Sequence, residues 1–418
     1  MQRLAWRLCI GLLFAGECWC QAAPPALTWQ ETQERFRANN PTLLAGEVAV
    51  QESRADEITA YLRPNPNVSM GVDQITPFET SPLRPLWQAY PSISFDYLHE
   101  RDHKRELRLE SARQATAIAQ SAQSDLDRTL MFNLRDAFDR VLLAKAVLGV
   151  AKENLDYYDK EIAINRERLN AGSISKVDFQ RVELQRVQFE SDLLTAEVDV
   201  RTAKIDLQTL LRDRTPIEEF DVREEFEFRE PVIALDELRR VALAARPDLK
   251  EAEQSADKAM TDHRLAIANG STDPTFSVDF AHEPYPYNAF MGVSMTIPLR
   301  IFDRNQGDKL HTLLDLSRNA KMRDAAQLTV QHEVDSAFTT LQSTLALLRP
   351  YKTKYLKEAE DIRSTVSFSY EHGAASLLDY LDAQKGYRDT QLNYLNLVGA
   401  YFAAANQVNF AVGREVIQ

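Results

Sequence analysis

Ala171-Gly172-Ser173-Ile174-Ser175-Lys176-Val177-Asp178-Phe179 and, about 200 residues on, His372-Gly373-Ala374-Ala375-Ser376-Leu377-Leu378-Asp379-Tyr380 are the stretches on which the fold turns. Gly, Ser, Asp and an aromatic ring recur at the same spacing, and the flanking segments recur in the same order. Solenoid repeats run at about 20–50 residues. A period this long means two copies of one unit fused in one chain. Each stretch reads as a tight helical turn. Glycine ends one helix in a left-handed conformation, serine caps the next, and the acid three positions on can bond back to the serine amide.

Working outward, each turn sits between long helices. His103 to about Leu169 and Asp308 to about Glu371 are rich in Ala, Leu, Glu, Arg and Gln, with Pro350 set to kink the second. Return helices follow from Ser175 to Leu211 and from Ser376 to Val412. At about 1.5 Å per residue, either long arm would run roughly 100 Å unbroken. Each half opens with a proline-stepped helix: Trp29 to Leu62 with Asn40-Pro41 inside, and Leu235 to Asn269 with Arg246-Pro247 inside.

Between those helices the period drops to two. Val68, Met70 and Val72 alternate with Asn67, Ser69 and Asp73, and the return segment sets Trp87, Ala89, Ile93, Phe95 and Tyr97 against Gln88, Ser92, Ser94 and Asp96. Phe276, Val278 and Phe280 oppose Thr275, Ser277 and Asp279, and a return run carries Ala289, Met291, Val293, Met295 and Ile297 on one face. Alternating segments of about 10 residues between turns are the pattern of an outer-membrane strand, and equally of a half-buried soluble sheet. Phe78, Trp87, Tyr90, Tyr285 and Tyr287 stand near the strand ends, where an aromatic girdle belongs.

The amino-terminal residues read as an export leader. Arg3 and Arg7 precede the apolar run Leu8 to Ala15, too short to span a bilayer, and small residues follow at Ala22-Ala23. Cys9, Cys18 and Cys20 all fall inside residues 1–22. Cys18 follows Glu17 and Cys20 follows Trp19, which argues against lipidation. Loss of the leader removes two arginines and one glutamate and takes the charge from −13 to −14. So acidic a chain is a poor nucleic-acid binder. The expected organisation is a first repeat over 23–214 with a β-hairpin at 67–98 and a tip at 171–175. An acidic linker covers 215–234, and a second repeat covers 235–418 with a hairpin at 275–299 and a tip at 372–376.

No Ser/His/Asp elbow, His-Glu-x-x-His, phosphate loop or dinucleotide fingerprint occurs, so no catalytic residue, cofactor site or metal site is assigned. His99 and His103 stand four apart beside Glu100 and Asp102, but at a strand-to-helix boundary where helical spacing does not hold. Four strands in lipid cannot leave open edges, and membrane barrels begin at about eight strands. The chain must therefore oligomerise: two copies would supply eight strands and three would supply twelve. The fold class is mainly α with membrane β, the long hairpins continuing the barrel as a helical tube. The alternative is a soluble periplasmic coiled-coil adaptor or tether, which would lack such strands.

The whole mature chain resembles the TolC family of trimeric outer-membrane efflux ducts. The matching residues are Asn40-Pro41, the run Ile297-Pro298-Leu299-Arg300-Ile301-Phe302-Asp303-Arg304-Asn305-Gln306-Gly307, and Gly373, Ser376 and Asp379-Tyr380-Leu381-Asp382-Ala383. The Pro-Leu…Phe-Asp-Arg-Asn-Gln-Gly run is similar to CzcC-type members, which serve heavy-metal pumps of the resistance-nodulation-division (RND) class. The resemblance implies a homotrimer in outer-membrane lipid, extending into the periplasm. It also implies a periplasmic adaptor and an inner-membrane RND pump as partners, and transport of metal cations or small toxic molecules. It places Gly172, Ser173, Ile174 and Ser175, with Gly373, Ala374, Ala375 and Ser376, at the adaptor interface. It places Asp379 and Asp382, one face of a helix, at a constricted periplasmic mouth. Tyr370, three residues before Gly373, is placed to bond Asp178 of the neighbouring hairpin and hold that mouth shut.

Overall fold

Thr28 closes a capping box with Glu31, its hydroxyl accepting from the Glu31 amide at 3.3 Å while the Glu31 carboxylate accepts from the Thr28 amide at 2.8 Å. This starts α1 (Trp29–Asn39). Asn40 breaks the run in an extended conformation and caps α2 (Pro41–Tyr61), its side-chain oxygen accepting from the amides of Thr42 and Leu43. Proline fits at that first helical position because its missing donor would be unsatisfied anyway. The computed structural model describes residues 26–417 apart from 76, 77, 79–85, 87, 88, 232 and 283–287. The leader with its cysteines, and Trp87, Tyr285 and Tyr287, lie outside the described residues.

The chain continues through β1 (Asn67–Asp73), β2 (Tyr90–Leu98), α3 (Lys104–Asn170) and α4 (Lys176–Leu211). It then repeats that order as α5 (Leu235–Ala245), α6 (Pro247–Asn269), β3 (Thr275–Ala281), β4 (Phe290–Thr296) and α7 (Gln306–Pro350). A π turn over Tyr351–Tyr355 leads into α8 (Leu356–Glu371), and α9 (Leu377–Val412) returns. Helix boundaries fall within about two residues of those read from sequence. The expected kink at Pro350 takes the form of that π turn. The strands are shorter than expected, β2 opening at Tyr90 and β4 closing at Thr296. In the acidic linker the chain makes one isolated parallel bridge, Leu27 to Val222.

The four strands form one antiparallel sheet in the order β1-β2-β3-β4, so the two repeats join through β2 and β3. Register stacks the apolar positions into rows across all four strands. Val68, Phe95, Val278 and Val293 make one row, and Met70, Ile93, Phe280 and Met291 the next. Every one of these side chains is exposed, Met70 at 78% and Val293 at 75%. The alternate positions carry serines, Asp96 and Asp279. An apolar face this extended is not tolerated in water without a cover, and the outer edges of β1 and β4 have no partner strand within the described residues.

Two cores lie where the repeats meet the linker. Leu27, Phe36, Leu134, Phe138, Val141 and Leu207 pack in the first, with Leu238, Val334, Leu341, Leu345, Leu348, Tyr401 and Val408 in the second. A third holds the first hairpin together near its tip through Tyr158, Ile162, Phe179, Val182 and Phe189. Helix α4 packs along α3 but leaves a second stripe exposed: Val177, Leu184, Val187, Leu194, Val198 and Ile205. Their steps of seven, three, seven, four and seven residues make a coiled-coil seam, left uncovered by the other helices among the described residues.

Candidate functional site at the helical tips

Both glycine turns close in the same way. Gly172 (φ 72°) and Gly373 (φ 76°) are left-handed. After α3 the amide of Ser173 donates to the Arg168 carbonyl at 2.8 Å and that of Gly172 to Leu169 at 2.9 Å. After α8 the amide of Ala374 donates to Ser369 at 2.7 Å and that of Gly373 to Tyr370 at 3.1 Å. These paired bonds satisfy the last carbonyls of each helix, and only glycine adopts the required φ without strain.

The next helices start differently. Ser376 and Asp379 form a full capping box: the Asp379 amide donates to the Ser376 hydroxyl at 3.2 Å, and the Ser376 amide donates to the Asp379 carboxylate at 3.1 Å. Ser175 accepts from the Asp178 amide at 3.0 Å and donates its hydroxyl to the Asp178 carboxylate at 2.8 Å, without the return bond to its own amide. Hydrogen bonds from the Ser376 side chain and backbone hold the Asp379 carboxyl below its usual range. Its contribution to the cap is therefore complete at neutral pH and is lost as pH falls through that lowered value. Ser376→Ala is expected to cost about 1 kcal/mol and Ser175→Ala less, measured by thermal melting.

The two tips lie side by side across a cleft of about 460 Å³ lined by Arg168, Gly172, Ser175, Asp178, Tyr370 and Gly373. Gly172, Ser173, Ser175, Gly373, Ala374 and Ser376 are exposed, while Ile174 and Ala375 are half-buried. Asp379 and Asp382 are also exposed, flanking the stripe of α9 that buries Tyr380 and Ala383.

The expected Tyr370–Asp178 bond is not made within the chain. Tyr370 is 5% exposed, and its hydroxyl has no hydrogen-bond partner among the described residues. Its ring stacks on Tyr380 at 4.7 Å under the Arg168 guanidinium, 4.5 Å from the centroid. Asp178 is engaged by Ser175 instead. The contacts that join the two hairpins are others. Tyr380 donates to Glu161 at 2.9 Å across 219 residues, and Arg168 donates to the Tyr370 carbonyl at 3.1 Å. Burial, with the Glu161 charge beside it, pushes the Tyr380 phenol well up, so it stays a donor. Sequence reasoning passed over Glu161 and Arg168. The available signal was a glutamate inside the otherwise apolar stripe of Leu155, Tyr158 and Ile162.

Residues 238–414 match the family model described as outer membrane efflux protein. The match falls within the second half of the chain. The cobalt-zinc-cadmium resistance protein CzcC of Cupriavidus metallidurans is 24% identical over 324 residues, 74% of either chain. The cation efflux system protein CusC of Escherichia coli K12 is 23% identical over 314 residues, 69% of this chain and 65% of that one. Among solved structures, CusC superposes with a TM-score of 0.77 at 19% identity over 92% of both chains. The outer membrane protein VceC of Vibrio cholerae superposes at 0.74 and 16% identity, over 93% of this chain and 96% of that one. The chain thus shares the fold of those solved outer-membrane proteins, long helical hairpins joined to a small sheet.

Proposed function

We propose that this protein is the outer-membrane exit duct of a tripartite efflux system. It would receive substrates passively from an RND pump through a periplasmic adaptor, with metal cations as the cargo. One observation carries the reading: a four-stranded sheet whose apolar rows all face outward, continuous with two long hairpins. Lipid is the cover such a face requires, and the polar rows then line a water-filled lumen. The open edges of β1 and β4, with the uncovered seam on α4, call for further copies of the chain. Three copies supply a twelve-stranded barrel, wide enough for a lumen where eight strands would be filled by their own side chains. The metal assignment rests on the similarity to CzcC and CusC. A strain lacking the gene is expected to lose tolerance to cobalt, zinc, cadmium or copper and regain it on complementation. Unchanged tolerance to all four, with lost tolerance to a drug panel, would reassign the cargo.

The mouth of the duct falls at the tips, and their exposed glycine turns take the adaptor. A buried hydroxyl without a partner costs about 1–3 kcal/mol, so Tyr370 takes its acceptor from the Asp178 of a neighbouring hairpin once three chains assemble. Tyr370→Phe is then expected to raise channel conductance and antibiotic uptake; unchanged values would end that assignment.

A further inference from the structure

The start of β1, the end of β2, the start of β3 and the end of β4 share one rim of the sheet, where the helices leave it. On that rim lies a cavity of about 420 Å³, between Arg63 ahead of β1 and the 97–106 segment joining β2 to α3. Its charges sort cleanly. Glu100 is held by Arg108 at 2.5 and 3.0 Å, Glu106 by Arg105 at 3.0 Å, and Lys104 by Asp273 at 2.7 Å. Arg63 and Arg101 are exposed, and neither has an ion-pair partner among the described residues. Asp102, also exposed, is the one cavity carboxylate left unpaired among the described residues.

The apolar rows of the sheet begin beside it. Tyr97 lines the cavity and pairs in register with Phe276, which pairs with Met295. Leu62, 61% exposed, lies next to Arg63. Two free guanidiniums and one free carboxylate therefore stand where an apolar outer face gives way to polar helices. That is the complement of a zwitterionic glycerophospholipid: a phosphate, an ammonium, and acyl chains that need an apolar surface.

We propose that this cavity binds the headgroup of phosphatidylethanolamine. Arg63 and Arg101 take the phosphate, Asp102 takes the ammonium, and the acyl chains lie along the outward rows of the sheet. The site rests on the outer-membrane reading above, since only there does the rim meet a phospholipid leaflet.

The test titrates phosphatidylethanolamine into the full chain in mild detergent and follows bound lipid by native mass spectrometry. Wild type is expected to retain the lipid, and Arg63→Gln/Arg101→Gln to bind it at least tenfold more weakly with an unchanged far-UV spectrum. Arg63→Lys/Arg101→Lys should recover part of the loss, and Asp102→Asn should weaken phosphatidylethanolamine but not phosphatidylglycerol. Arg201→Gln, remote on α4, should match wild type. Equal binding by the double glutamine variant overturns the site, as does equal binding of a diacylglycerol with the same chains. Displacement by an equal concentration of inorganic phosphate overturns the lipid assignment. Fractionation separates the two failures: wild type recovered as a soluble periplasmic protein refutes the membrane reading, whereas a membrane-embedded chain indifferent to Arg63 and Arg101 refutes this site alone.

Discussion

Arg246→Ala is expected to destabilise the second repeat by about 3–5 kcal/mol, the range for breaking a buried ion pair by removing one partner. The side chain is 2% exposed and donates to both Asp248 oxygens, to Glu333 on α7 and, at 3.1 Å, to the Ala411 carbonyl near the end of α9. One guanidinium thus ties the α5–α6 corner to both α7 and α9. Its removal strands two carboxylates, a third exposed each, which places the loss toward the lower end of the range. Adding Glu333→Gln should recover part of it by withdrawing one unpaired charge. A melting temperature for Arg246→Ala within about 1 °C of wild type would show that the corner is held by packing alone. Asn40, at the same step of the first repeat, makes only local capping bonds with its side chain among the described residues; Asn40→Ala should cost no more than about 2 kcal/mol.

The second large effect is expected at the helical tips. With three chains around one axis, Asp379 and Asp382 would contribute six carboxylates, a ring that attracts cations and binds multivalent ones tightly. Asp379→Asn/Asp382→Asn should weaken block of single-channel current by a trivalent cation by at least tenfold and lower cation over anion selectivity. The two positions are not equivalent. Asp379 spends its carboxylate on the Ser376 box, so Asp379→Asn also loosens the helix start, whereas Asp382→Asn removes charge alone. Block that survives the double variant would remove these aspartates from the gate.

Most of the architecture was legible because it follows from local signals. Glycine turns, Ser-x-x-Asp caps, proline steps and period-two runs each act within a few residues, and their recurrence gave the repeat. The sheet register was implicit in the same alternation, since a slip by one residue would bury the serines and expose the apolar rows to the wrong side. What escaped were contacts between residues far apart in the chain. Nothing local distinguishes Arg246 from any residue before a proline, yet its partners lie 87 and 165 residues away. Tyr380 stood inside a recognised motif, but its acceptor Glu161 lies in the other repeat. The Tyr370–Asp178 bond failed within one chain because Tyr380 and Arg168 enclose the Tyr370 ring. Asp178 had a nearer donor in Ser175.

The π turn at Tyr351–Tyr355 has a consequence for how the second hairpin is written. Its inward positions run Leu341, Leu348, Leu356, Arg363 and Tyr370, the first two and the last buried and the others half-buried. The steps are seven, eight, seven and seven. The extra residue falls at the π turn, so the arm carrying the tip is in a different reading frame from the arm anchored beside the linker. The unbroken α3 carries no such insertion. Chimeras that exchange the tip of the second hairpin with a relative's must therefore keep or lose that one residue together with the tip. Otherwise every contact from Leu356 to Tyr370 rotates about 100° off its seam.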